Sequence, residues 1–506
     1  MGKCLAASSR ARDTGTLYSH VLLSSIEGAF TVWADRLYKH LLEQFPAPNG
    51  LEPIPDDVIL PPRWTLSPAL NKIRNQKSPG VVPALETPSH SDPPPSRLLP
   101  VPDGRDARLV EMKRMTPESH WQDVRLVGFD IPSPSSAERL QCNPGDCLTI
   151  YPKNFPDDVQ RLIILMEWES VADEPLDLTT CGPLPRGLYA PEPCTIRNLL
   201  LENIDISSIP RRSFLKSMSY FATNQDQKER LLEFTNSEFL DEYFDYATRS
   251  RRTIIEVLDE FTSVKLPADR LLDIFPLIHG RDFSIATGGD LQFKQSKGEE
   301  SVSNGTNSHP TTRVELLIAL VRYRTILRKP REGLCSRYVA SLPLNSVIRV
   351  SHKRVLTPIH GPDNVQRPLV AIATGTGIAP IRSLIYERLT HPNPAPMLLF
   401  FGNRNRKADY FFEDEWERLA STGALSVMTA FSRDQEGKVY VQHVLRNQAS
   451  QLGELIPQGA IFSVCGGSSK MADACKEAVF DPFKEGGDKD DRQKILDSLT
   501  WWQEIW

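Results

Sequence analysis

The segment from 369 to 389 most narrows what this chain can fold into. Residues 369–373 are continuously apolar, as a strand buried on both faces must be, and they end in Thr374-Gly375-Thr376-Gly377. Ile381, Leu384, Ile385 and Leu389 then recur at helical spacing. Glycines at such a turn let the backbone approach a ligand closely, and the helix N-terminus that follows favours negative charge. Pro380 suits the first turn, where no amide donor is missed. Strand, turn and helix together predict a phosphate-binding loop in a parallel sheet. Further apolar runs at 397–401, 425–430 and 460–464 alternate with helical stretches, so an α/β domain is expected over 363–506.

Two more strand ends in this region carry Gly402-Asn403-Arg404 and Ser432-Arg433. In an open parallel sheet the carboxyl ends of the strands converge on the ligand crevice. Ser432, Arg433 and Lys438 bring a hydroxyl and two cations, and Tyr440 an aromatic face, a set that suits the 2′-phosphate and adenine of NADPH. Asp434 and Glu436 sit in the same loop, so its charge balance alone does not decide the ligand. Upstream, Arg281-Asp282-Phe283-Ser284-Ile285-Ala286 reads as a strand. Arg281 and Phe283 would share one face and Ser284 the other, so using all three on one ligand requires a bend or a ligand lying along the strand edge.

The rest of the chain divides by composition. Residues 1–74 hold one amphipathic helix, expected at 27–45 from Phe30, Trp33, Leu37 and Leu41. Residues 75–103, rich in proline, read as a linker. From 104 to 362, strand-like runs at 108–112, 124–131 and 148–151 suggest an antiparallel barrel, interrupted by a helical stretch at about 196–262. A polar segment, 294–312, reads as a loop. The net charge of −5 gives no push toward nucleic acid, and no apolar run approaches the roughly 18 residues that span a bilayer. The eight cysteines lack Cys-x-x-Cys or Cys/His spacing, which argues against a metal site or a disulfide framework and fits reduced thiols in the cytoplasm.

In order and spacing, the motifs at 281–286, 333–336, 375–380, 402–404 and 432–442, with the terminal Trp506, resemble those of the diflavin reductases over about residues 104–506. Within that family His120-Trp121-Gln122-Asp123-Val124-Arg125, Pro210-Arg211-Arg212-Ser213-Phe214, Gln227-Lys228-Glu229-Arg230 and Arg331-Glu332-Gly333-Leu334-Cys335-Ser336 look most like the NADPH-dependent diflavin oxidoreductase 1 branch. The resemblance implies a ferredoxin reductase-like pair: an FAD-binding antiparallel barrel with an inserted helical subdomain, then a parallel-sheet NADP-binding domain. It implies that Arg281 binds the FAD pyrophosphate, Phe283 packs on the isoalloxazine and Ser284 hydrogen-bonds near flavin N5. Gly333, Leu334, Cys335 and Ser336 would close the other side of the FAD. Thr376 and Arg404 would hold the NADPH pyrophosphate, and Ser432, Arg433, Lys438, Tyr440 and Gln442 its 2′-phosphate and adenosine. Cys465 resembles the cysteine beside the hydride path, Glu504 the acidic residue near the terminus, and Trp506 the aromatic that stacks on the flavin and moves aside for nicotinamide.

The resemblance also implies a route from NADPH through FAD and FMN to an iron-sulfur protein of the anamorsin type, in cytosolic iron-sulfur cluster assembly. A family member begins with an FMN-binding flavodoxin domain of well over a hundred residues, whereas about 75 precede the linker here. Asp13-Thr14-Gly15-Thr16 looks like part of an FMN phosphate loop without a strand leading into it. Residues 1–74 are therefore expected to be a flavodoxin remnant, and FMN is not expected to bind this chain. The expectation is an NADPH-dependent FAD oxidoreductase. Its alternatives are a stand-alone reductase with another acceptor and a truncated, non-catalytic interaction protein.

Overall fold

The computed structural model describes residues 26–46, 54, 55, 57–69, 93–135, 138–293, 310–481 and 499–506. The 13–16 motif, most of the linker and the polar segment up to 309 lie outside the described residues. The first helix forms over Ile26–Gln44, and its stripe of Phe30, Trp33, Leu37 and Leu41 is exposed.

The described strands are numbered in chain order. A six-stranded antiparallel sheet comprises β1 (Arg105–Arg114), β2 (Val124–Pro132), β3 (Cys147–Ile150), β6 (Arg281–Ser284), β7 (Thr311–Ala319) and β10 (Val347–Lys353), in the order β6-β3-β10-β1-β2-β7. Period-two alternation sends Val127, Phe129 and Ile131 of β2 to the barrel interior, where they meet Val314, Leu316 and Ile318 of β7. The opposite face of the same strands carries Val124, Leu126 and Leu317, which pack with the second domain. Two-stranded ribbons form from β4 (Pro175–Leu176) with β5 (Cys194–Thr195) and from β8 (Arg322–Arg324) with β9 (Pro330–Glu332).

A helical block with its own core lies between β3 and β6. It runs from helix Pro156–Met166 through Ile196–Glu202, Arg212–Tyr220, Gln225–Glu233 and Ile254–Glu260 to Leu271–Ile274. Leu231 and Phe234 are fully buried there, while Leu232 and Phe239 on the same stretch are exposed. Thr253 and Glu256 form a capping box at the start of helix Ile254–Glu260.

The second sheet is parallel: β11 (Leu369–Thr374), β12 (Met397–Asn403), β13 (Ser426–Phe431), β14 (Ile461–Gly466) and β15 (Thr500–Ile505), ordered β13-β12-β11-β14-β15. Leu369, Ala371 and Ala373 face one core and Val370 and Ile372 the other, which is why this strand reads as an unbroken apolar run. The edge strand β15 was not legible in the sequence analysis, and it brings the chain terminus to the carboxyl ends of the sheet. Arg382, on helix Ile378–Arg388, locks the two domains together. It donates to Glu415 in bidentate fashion at 2.8 Å and reaches into the barrel domain to Glu315 at 2.8 Å and the Ala286 carbonyl at 3.1 Å.

No described helix is long and apolar enough to cross a membrane. Among the described residues no group of three or more His, Cys, Asp or Glu could hold a metal ion, and the described cysteines are free thiols.

Candidate active site

The glycine-rich turn lies where the central strand β11 ends. Gly375 has φ +56°, which glycine adopts without strain, and a Cβ on Gly377 would lie 2.3 Å from the Cys465 carbonyl oxygen. Asn403, at the end of the neighbouring β12, accepts a hydrogen bond from the Gly375 amide at 3.1 Å and so fixes the turn. The carboxyl ends of β11, β12 and β13 open into a cavity of about 920 Å³ whose walls include Thr376, Arg404, Tyr440, Gln442 and Trp506. Ser432, Arg433 and Lys438 are not among the lining residues but follow β13 on the adjoining loop. The Ser432 amide donates to the Asn403 carbonyl at 2.9 Å and the Arg433 amide to the Arg404 carbonyl at 2.8 Å.

Charge is unbalanced at this rim. Burial, and then the nearby charge of Arg433, hold the Arg404 guanidinium below its ordinary value. Neither Arg404, Arg433 nor Lys438 makes an ion pair among the described residues, whereas Asp434 and Glu436 lie exposed on the same loop. Asp434 is turned away and accepts from the Arg406 amide at 2.9 Å. Arg404 feels the opposing charge of Asp409, yet two arginines set side by side still favour an anion between them.

On the barrel, β6 pairs with β3 so that Ser284 lies opposite Cys147 and Arg281 opposite Ile150. Phe283 packs on the barrel core. Asp282, on the other face, accepts from Thr149 at 2.6 Å and Lys353 at 2.5 Å. Arg281 is partly exposed, 3.9 Å from Asp205, and close enough to Cys335 to act on its thiol. Cys335 belongs to helix Leu334–Ser341, whose N-cap Gly333 offers no side chain to the first amides. An arginine and an uncapped helix start thus face the same region. The Ser336 hydroxyl donates to the Gly333 carbonyl at 3.1 Å and accepts from the Val321 amide at 3.1 Å, tying this turn to the end of β7. Cys335 itself is buried, with its thiol pushed up to about 12, so its side chain is packing and its backbone is what a ligand can meet.

The two domains meet at Ser284. Its hydroxyl donates to the Glu504 carboxyl on β15. Glu504 stands opposite Cys465 in the parallel register of β14 and β15. Burial raises the Glu504 carboxyl above its ordinary range, and the hydrogen bond from Ser284 opposes this without cancelling it. Its second oxygen is buried and has no hydrogen-bond partner among the described residues. Cys465 is completely buried, and burial followed by the Glu504 charge holds its thiol well above the ordinary value. Trp506 is 55% exposed at the cavity edge, and its amide donates to the Gly466 carbonyl at 3.4 Å.

Residues 105–294 match the family of FAD binding domains, and residues 371–477 match the oxidoreductase NAD-binding domain. The chain is 61% identical to NADPH-dependent diflavin oxidoreductase 1 of Gibberella zeae, over 95% of this chain and 77% of that relative. It is 39% identical to the protein of the same name from Aspergillus fumigatus, over 92% and 73%, and 35% identical to that from Danio rerio, over 94% and 75%. The chain belongs to the NADPH-dependent diflavin oxidoreductase 1 family. It is accordingly an NADPH-dependent flavoprotein oxidoreductase with domains for FAD and NADPH, and FMN is the family's second flavin.

The residues present fit the two cofactors of such an oxidoreductase. Neighbouring cations at the rim, a backbone turn with no room for a Cβ, and an orphaned carboxyl oxygen at the seam each leave a place for a ligand group. Sequence reasoning did not assign Cys147, whose thiol burial pushes up to about 11 and which the Glu504 charge also reaches. Nothing in its local sequence marks it. Asn403 and Asp409, which shape the Arg404 turn, were equally unassigned. The Asp409 carboxylate accepts from the Arg404 amide at 3.2 Å and the Asn405 amide at 2.8 Å. Asn403 stands inside a motif that was already legible.

Proposed function

We propose that NADPH lies across the carboxyl ends of β11, β12 and β13. Thr376 and Arg404 hold its pyrophosphate, while Ser432, Arg433, Lys438, Tyr440 and Gln442 hold its 2′-phosphate and adenosine. Arg281 and the backbone of 333–336 would hold the FAD pyrophosphate, and Phe283 would pack on its ring. So held, FAD would supply the chemistry of taking a hydride from NADPH and releasing electrons singly.

The observation that carries this reading is the hydrogen bond from Ser284 to Glu504, made between the FAD-type barrel and the NADP-type sheet. It places a hydroxyl, a carboxyl raised by burial and the neutral thiol of Cys465 at one seam. Ser284 orients the ring edge, Glu504 presents a carboxyl whose hold on a proton is strengthened by burial, and the fully buried Cys465 keeps that wall dry. Trp506 covers the approach until nicotinamide displaces it.

The acceptor is an iron-sulfur protein of the anamorsin type, and the setting is cytosolic iron-sulfur cluster assembly. This part of the proposal rests on the branch-like motifs at 120–125, 210–214, 227–230 and 331–336.

Purified protein should be yellow, hold about one FAD per chain and bleach under NADPH without oxygen. It should reduce ferricyanide faster than cytochrome c and, once a flavodoxin-type FMN protein is added, should reduce an oxidised iron-sulfur protein of that type, followed by its visible spectrum. A colourless protein that takes up no FAD overturns the cofactor assignment. Bleaching by NADPH without transfer to the iron-sulfur protein, the FMN protein being present, overturns the acceptor alone.

A further inference from the structure

The loop between β1 and β2 is stitched at both ends. Arg114 donates to the Thr116 carbonyl at 3.0 Å and the Pro117 carbonyl at 3.1 Å, and lies 3.6 Å from Asp123. Thr116 donates to the Gln122 carbonyl at 2.9 Å and accepts from the Val124 amide at 3.2 Å. On this braced loop Trp121 is 59% exposed, an unusual position for so large an apolar surface. Its ring lies under the guanidinium of Arg404, with 4.1 Å from the Arg404 Cζ to the ring centroid. Both residues line the same cavity.

Arg404 comes from the other domain. Its backbone is held by Asp409, but its guanidinium makes no ion pair among the described residues and feels the like charge of Arg433. The guanidinium is thus held over the indole face, with the Asp409 charge as the opposing electrostatic influence. A cation–π contact takes up none of the N–H groups of the guanidinium, whose fork can bind two phosphate oxygens together.

We propose that Trp121 is a positioning residue for NADPH: the barrel domain lends it to orient Arg404 of the parallel-sheet domain toward the dinucleotide's pyrophosphate. Affinity for the pyrophosphate then depends on the two domains being packed, because neither supplies both halves of the pair. The proposal rests on the assignment of Arg404 to the pyrophosphate made above.

The test is calorimetric titration of the FAD-loaded full chain with NADP⁺ and with adenosine 2′-monophosphate, which keeps the adenosine and 2′-phosphate but has no pyrophosphate. Trp121→Ala should weaken NADP⁺ roughly three- to thirtyfold, the range expected for a cation–π contact. It should leave adenosine 2′-monophosphate unchanged, and Trp121→Phe should restore most of the NADP⁺ affinity. Equal loss of both ligands, or no rescue by phenylalanine, would mean the loop is only structural and overturns the proposal. Arg404→Ala separates the two levels. If it leaves NADP⁺ binding intact, the pyrophosphate assignment fails and the proposal with it. If it weakens NADP⁺ while Trp121→Ala does not, the positioning role alone fails.

Discussion

The Ser284 hydroxyl on β6 donates to the Glu504 carboxyl on β15, two residues 220 positions apart that belong to different domains. The bond places the end of the chain against the strand assigned to the flavin. Loss of one partner of a hydrogen bond to an ionisable group corresponds to about 1.5–3 kcal/mol. Ser284→Ala should therefore slow reduction of the bound flavin by NADPH roughly ten- to a hundredfold in stopped-flow absorbance. FAD content should stay near wild type, because Arg281 and the 333–336 backbone are untouched.

Glu504 also has a pH signature. Its folded-state carboxyl is raised above the ordinary 4.5, so the folded chain binds this proton more tightly than the unfolded one. The stabilising contribution is fully present below the unfolded value and is lost as pH rises through the folded value. Glu504→Gln is neutral at every pH and escapes that loss. Melting curves from about pH 4 to 8 should show the variant gaining on wild type as pH rises, with the difference vanishing at the acid end. A constant offset across the range would show that the carboxyl does not titrate differently in the folded state.

Arg433 should discriminate between the two nicotinamide cofactors. It is exposed, makes no ion pair among the described residues, and its amide is tied to the Arg404 carbonyl at 2.8 Å, so the loop stays placed when the side chain is removed. Arg433→Ala should raise KM for NADPH by about tenfold to a hundredfold, the loss of a charge-assisted contact, while NADH is nearly unaffected. Equal weakening of both in steady-state kinetics would remove the 2′-phosphate from this loop.

The buried Arg382 cluster should dominate the stability of the domain contact. Arg382→Met leaves Glu315 and Glu415 without their shared cation, a change that costs about 3–5 kcal/mol when a buried pair is broken. The apparent melting temperature should fall markedly and proteolysis between the domains should speed up. Arg418→Met, which among the described residues loses an exposed bond to the Tyr386 hydroxyl at 3.0 Å, should change neither.

Much of this was determined by the sequence alone, because it depends on local periodicity. The unbroken apolar run at 369–373 required a strand buried on both faces, and the glycines after it required a tight turn, since Gly375 has positive φ and Gly377 abuts the Cys465 carbonyl. The alternation along β2 likewise required two different faces. What periodicity could not reach was which distant residues share a point in space. Ser284 points away from Phe283 along its strand, and only the packing of the second domain supplies Glu504 on that side. The strand β15 was illegible because it lies at a sheet edge and carries Trp501-Trp502 and Gln503-Glu504, which do not alternate as a half-buried strand should. Cys147 and Trp121 gain their places through cross-strand register and cross-domain stacking. The tertiary structure alone decided these, because hydrogen bonding, burial and like-charge proximity act through distance in space, to which spacing along the chain is blind.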